Sequence, residues 1–100
     1  MPAIAYVTPN FTANAVRFIE AFASFHTIRL TIISQEDIKL LPVWLKGRIN
    51  RSRQIPDVFN TENLIGVLRS LQIQEGKFDR ILGATENLQV TLAEVRETLG

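Results

Sequence analysis

The chain has 100 residues, 46% hydrophobic and 21% charged, enough for one globular domain with a modest core and too apolar for a disordered one. Eleven Lys and Arg against 10 Asp and Glu give a formal charge of +1, so no global field argues for nucleic acid or an anionic membrane as partner. With no cysteine and one histidine, His26, a disulfide framework, a thiolate metal site and a Cys nucleophile are excluded, and at most one imidazole is available to a triad or metal cluster.

Ala3 to Val7 is a short apolar run between Pro2 and Pro9, the pattern of a strand buried on both faces of a parallel sheet. Thr8-Pro9-Asn10-Phe11 turns the chain. Thr12 then caps a helix whose apolar residues Ala15, Phe18, Ile19, Phe22 and Ala23 form one stripe. His26 falls in the loop that follows. Ile28 to Ser34 alternates with Ile28, Leu30 and Ile32 on one face and is rich in β-branched residues, which predicts a second strand. The opening is therefore a βαβ unit, right-handed and parallel.

From Gln35 to Arg53 the pattern is less regular. Pro42 at a first helical position starts a short helix reaching about Arg48, and Trp44 is expected to pack this excursion onto the sheet. Lys39, Lys46, Arg48, Arg51 and Arg53 make it the most basic part of the chain, with no acidic residue between Asp37 and Asp57. No aromatic ladder is interleaved with these charges, so a solvated or interdomain face is favoured over a phosphate or nucleic-acid patch. Ile55 to Phe59 is the expected third strand, at the sheet edge because Pro56 cannot donate to a ladder.

Thr61 is the predicted N-cap of the next helix, with Leu64, Ile65, Leu68 and Leu71 as its buried stripe and Gly76 closing it. Phe78 to Leu82 is the fourth strand, placed at the sheet centre. The last helix carries Leu88, Leu92, Val95 and Leu99 and begins either near Glu86 or after Thr91, where Thr91 and Glu94 stand at capping-box spacing; Gly100 is its C-cap. The expected fold is α/β, an open, mostly parallel four-stranded Rossmann-like sheet with helices on both faces. Doubly wound domains commonly carry more strands, so the chain is expected to be a fragment of a longer, multidomain protein, with a complete small domain ending on its own C-cap glycine as the alternative. The amino terminus has no signal-peptide pattern and no apolar run approaches ~20 residues, so the expected location is cytoplasmic.

Two stretches are candidate sites. Asn10 and Thr12 stand at the amino end of a helix, where free N–H groups favour anions, but no Gly-x-Gly-x-x-Gly is present and no glycine occurs between Pro2 and Gly47. That argues against a dinucleotide domain. Asn10 and Thr12 also have a purely structural reading, as turn and cap. The second stretch is Thr85-Glu86-Asn87 with Gln89, where a carboxylate directly follows a strand. Glu86 reads equally as a group that receives a cationic or hydroxyl-bearing substrate and as one that stabilises a helix amino terminus. No second carboxylate lies within a turn of it, which disfavours a metal role.

Three stretches give the chain a family resemblance: Tyr6 to Arg17 (YVTPNFTANAVR), Leu30 to Glu36 (LTIISQE) and, most specifically, Leu82 to Gly100 (LGATENLQVTLAEVRETLG). In these the chain resembles the amino-terminal, pre-ATP-grasp domain of ATP-grasp proteins of the carbamoyl-phosphate-synthase-like or biotin-carboxylase-like kind. The resemblance implies a ligase that uses ATP and Mg to activate a carboxylate as an acyl phosphate, which an amine or related nucleophile attacks. It implies no cofactor within this chain, because that family holds ATP and Mg mainly in downstream domains of the same polypeptide. Those domains are the expected partner, with a homodimeric interaction or regulatory module as the alternative and neither nucleic acid nor membrane expected. Asn10, Thr12, Thr85, Glu86, Asn87 and Gln89 resemble positions facing the domain cleft and are expected to bind substrate. Pro9 and Asn10 stand where relatives commonly have glycine.

Overall fold

The computed structural model describes residues 2–83 and 85–99, and of Glu86 the backbone alone. Its elements are β1 (Ala3–Thr8), α1 (Ala13–Ala23), β2 (Arg29–Ser34), α2 (Val43–Lys46), β3 (Arg51–Gln54), α3 (Thr61–Glu75), β4 (Arg80–Gly83) and α4 (Gln89–Leu99). Single 3-10 turns occupy Ile38–Leu40 and Glu86–Leu88. The four strands form one all-parallel sheet in the order β3-β2-β1-β4.

Period-two alternation divides the interior in two. On β1 and β2, Ile4, Tyr6, Leu30 and Ile32 point to the side covered by Ile19 and Ala23 of α1 and by Leu41 and Leu45 of the α2 excursion. Ala5, Val7 and Ile33 point the other way, onto Leu64, Leu68 and Leu71 of α3 and Leu88, Leu92 and Val95 at α4. Helices therefore cover both faces, which is why the central strands read as unbroken apolar runs. Within α1, Ala15, Ile19 and Ala23 are buried, whereas Phe18 lies at the margin of the stripe, 48% exposed and stacked on Tyr6 with ring centroids 6.1 Å apart.

Four expectations need correction. The third strand is Arg51–Gln54, not Ile55 to Phe59; it pairs with Thr31 to Ser34 of β2 at the sheet edge, where polar side chains can face water. Val58 is still fully buried, but from a turn. Trp44 does not pack on the sheet. It is 58% exposed, and its neighbour Leu45 fills the core instead, because a helix one turn long can direct only one side chain inward. Asn60, not Thr61, caps α3, its side chain accepting from the Asn63 N–H at 3.0 Å. Thr61 is the first helical residue and its hydroxyl donates to Glu94 on α4 at 2.9 Å. Finally, β4 lies at an edge, since β1 alone neighbours it. The last helix starts at Gln89 after the 3-10 turn, and Thr91 is a buried helical residue whose hydroxyl donates to the Phe59 carbonyl at 3.3 Å. The expectation that Gly100 caps it lies outside the described residues.

Candidate functional site

The strand order reverses direction between β1 and β4: β2 and β3 are laid down on one side of β1, and α3 then carries the chain back across the sheet to the other. At such a switch point the loops leaving the two neighbouring strands diverge to opposite faces and open a crevice at the carboxyl ends. Val7 pairs with Gly83, so the two predicted stretches, which begin at Asn10 and Thr85, follow neighbouring strands at the same end of the sheet. His26 lies at the opposite, amino-terminal end of the sheet, in the turn that enters β2.

The β1 lip is fixed by its own polar groups. The Thr8 hydroxyl, on a residue 2% exposed, donates to the Asn10 carbonyl at 2.8 Å. The Pro9 carbonyl accepts from the Gln35 N–H at 3.1 Å, and the Phe11 N–H donates to Glu36 Oε1 at 2.7 Å, which ties the turn to the exit of β2. Ser34 holds Glu36 in turn, its hydroxyl donating to the Glu36 carbonyl at 2.7 Å. Thr12 accepts from the Ala15 N–H at 3.2 Å as the N-cap of α1, so its oxygen serves the helix, while the Asn10 side chain stands exposed at the rim.

Across the crevice, Gly83 lets α4 approach the strand. A Cβ there would stand 2.7 Å from Leu92 Cδ1 and 3.3 Å from both Leu88 Cδ1 and the Val7 carbonyl oxygen. Gln89 folds back over this loop, its Nε2 donating to the carbonyls of Gly83 at 3.2 Å and Thr85 at 3.1 Å. The Leu88 N–H also donates to the Thr85 carbonyl, at 3.2 Å. Thr85 Oγ1 is buried and has no hydrogen-bond partner among the described residues, an arrangement that costs free energy unless something completes it. Asn87 is exposed. Both readings of Glu86 concern its side chain and lie outside the described residues.

Five of the six predicted residues can be placed, the Glu86 side chain lying outside the described residues. Thr12 and Gln89 are engaged in building the two lips, and Asn10, Thr85 and Asn87 are the hydrogen-bonding groups at or beneath them. Glu36 joins the set unpredicted. Its signal is a carboxylate two residues past the end of a buried strand, on the same edge of the sheet as the two lips. Among the described residues the arrangement offers amide, hydroxyl and carboxylate groups that can bind polar groups. Among the described residues no cluster of three His, Asp or Glu is disposed to hold a metal ion, and no helix is long and apolar enough to cross a membrane.

The fold is an open, all-parallel α/β sheet whose order changes direction between β1 and β4. No protein-family model matches the chain, and no curated protein sequence matches it.

Proposed function

We propose that this domain is the amino-terminal wall of an ATP-dependent carboxylate–amine ligase of the ATP-grasp kind. ATP and magnesium would be held by downstream domains of a longer polypeptide. There the substrate carboxylate takes the terminal phosphoryl group of ATP, releasing ADP; the amine then attacks the acyl carbon and expels phosphate. This chain's part is to seat the substrate. Asn10 offers an amide at one lip, Thr85 and Asn87 a hydroxyl and an amide at the other, and Glu36 sets the height of the first lip through the Phe11 N–H.

The observation that supports this reading is the β1–β4 switch point, which brings two of the stretches carrying the family resemblance to one crevice. The absence of glycine from the β1 turn, which keeps the backbone away from a polyphosphate, supports a substrate role over a nucleotide role. The test is amide NMR of this chain titrated with a panel of amino acids and dicarboxylates, and separately with Mg-ATP. Carboxylate-bearing ligands should shift the amides of Asn10 to Thr12 and Thr85 to Gln89, and Mg-ATP should shift neither. ATP hydrolysis by the isolated chain that depends on added carboxylate would overturn the assignment. In a longer polypeptide, Glu86→Gln should raise KM for the substrate and leave ATP binding unchanged.

A second reading has one specific observation behind it. Leu40, Val43 and Trp44 are 64%, 79% and 58% exposed on the α2 excursion, which suits a module that pairs with another copy of itself through that face. Sedimentation equilibrium distinguishes the two: Trp44→Lys should abolish a dimer formed this way and leave a monomeric domain unaffected.

A further inference from the structure

The free side of β4 has a constitution of its own, distant in kind from the polar crevice. Beside this strand runs a groove of about 300 Å³ whose apolar floor is formed by Phe78, Ile81 and Leu99. Lys77, Arg80 and Arg96 also line it. The one carboxylate among its lining residues, Asp79, accepts from the Ala3 N–H at 2.7 Å and so is committed to β1. The groove is therefore apolar below and cationic around its rim.

Among the described residues, side chains cover the strand edge. Arg96 donates from Nε and an Nη to the Ile81 carbonyl at 2.9 and 2.5 Å, and Gln89 donates to the Gly83 carbonyl. A guanidinium on a neutral carbonyl blocks edge-to-edge pairing, a recognised way of protecting an edge strand. It is also a replaceable cover. A backbone N–H from an incoming strand can take the Ile81 carbonyl, and the released guanidinium can then form a charge-assisted, two-pronged pair with a carboxylate, which is the stronger bond for an arginine. The exchange leaves no carbonyl unpaired.

We infer that the β4 edge is a strand-addition site for an extended acidic peptide with alternating apolar residues. The occupant follows from the chemistry on the two sides of such a strand. Side chains on one face of such a strand meet the apolar floor with Arg96 of α4 beside it, those on the other meet Arg80, which alternates with Ile81 along β4, and the backbone supplies the ladder. The inference stands independently of the crevice and of the ligase reading.

The probe is a blocked synthetic hexapeptide alternating Glu and Val, with a Lys-for-Glu peptide as its control. The acidic peptide should shift the amides of Ile81, Leu82 and Gly83, bind more weakly as salt is raised, and outbind the basic peptide. Arg80 is exposed and its side chain donates to the neighbouring Asp79 carbonyl at 2.9 Å, so Arg80→Glu should fold normally and weaken binding at least about ten-fold. Lys39→Glu, on the basic excursion, should leave binding unchanged. The proposal is overturned if the acidic peptide does not bind, if Arg80→Glu binds it equally well, or if the shifts map to the α2 face. It is also overturned if hexanoate at the same concentration reproduces the shifts, which would make the groove a small-molecule site.

Discussion

Tyr6 combines a fully packed ring with a hydroxyl that has no partner among the described residues, on a side chain only 1% exposed between Phe18 and Phe22. Burial pushes its phenol up from 10.0 to about 12. Below pH ~10 the phenol is neutral folded and unfolded, and the contribution to stability is complete. As pH rises from about 10 toward about 12 the unfolded chain ionises while the folded one does not, and stability is lost. Tyr6→Phe should lack that alkaline loss, and near neutral pH it should be more stable by about 1 kcal/mol because no buried hydroxyl remains unpaired. Urea unfolding near pH 7 and pH 11 measures both effects, and a lower midpoint for the variant near pH 7 would reveal an ordered partner for the hydroxyl. Two glycines give opposite expectations. Gly83→Ala should destabilise by about 1–3 kcal/mol, since the new methyl meets Leu92 in a core with no spare room. Gly66→Ala should stabilise by about 0.5–1 kcal/mol, because nothing lies within 4 Å of the added carbon in the middle of α3. Thermal melts of the pair decide whether the contact at Gly83 is as tight as the geometry states.

Among the elements, β1 and β2 were legible because a strand covered on both faces must be apolar at nearly every position. β3 was not, because Arg51-Ser52-Arg53-Gln54 has neither an apolar run nor an alternation; it is a strand by virtue of pairing with β2. Ile55 and Val58 misled for a related reason, supplying core side chains from the loop after the strand. Placing β4 at the centre failed because period and composition report burial, not neighbours, and the edge is masked by Arg96 lying over it. At the start of α3 two cap candidates stood side by side, and only backbone geometry separates them: Asn60 is extended, with ψ 110, and Thr61 is helical. Asn60→Ala should therefore cost about 1 kcal/mol, and Thr61→Ala, which loses an exposed hydrogen bond to Glu94, clearly less. Equal losses in denaturant unfolding would mean that the α3–α4 contact carries more than the cap.

At the scale of the whole molecule, the sheet order turns two sequence-distant candidate stretches into neighbours, and that juxtaposition could not be read from either stretch alone. The turns themselves were legible, since Asn, Thr and Gly at strand exits are residues that build turns and caps, as Thr12 does. What was hidden is the division of labour: Gln89 resembles a ligand-binding amide in sequence, yet folding directs it to two carbonyls of its own loop, while Glu36 becomes visible only once β2 is known to end beside the β1 turn. The same sheet order has a consequence for the history of each molecule as it is made. Within this domain β1 is made before the other strands, yet it needs β4 on one side, and the Ala3 to Asp79 bond that begins their pairing spans 76 residues. Until then β1 has β2 alone beside it and Ala5 and Val7 without α4 beneath them, an apolar edge open to neighbouring chains. A fragment covering residues 1–77 should accordingly bind a hydrophobic dye and associate, whereas one extended through α4 should do neither; a dispersed, monomeric spectrum from the shorter fragment would show that the sheet can mature before its last strand arrives.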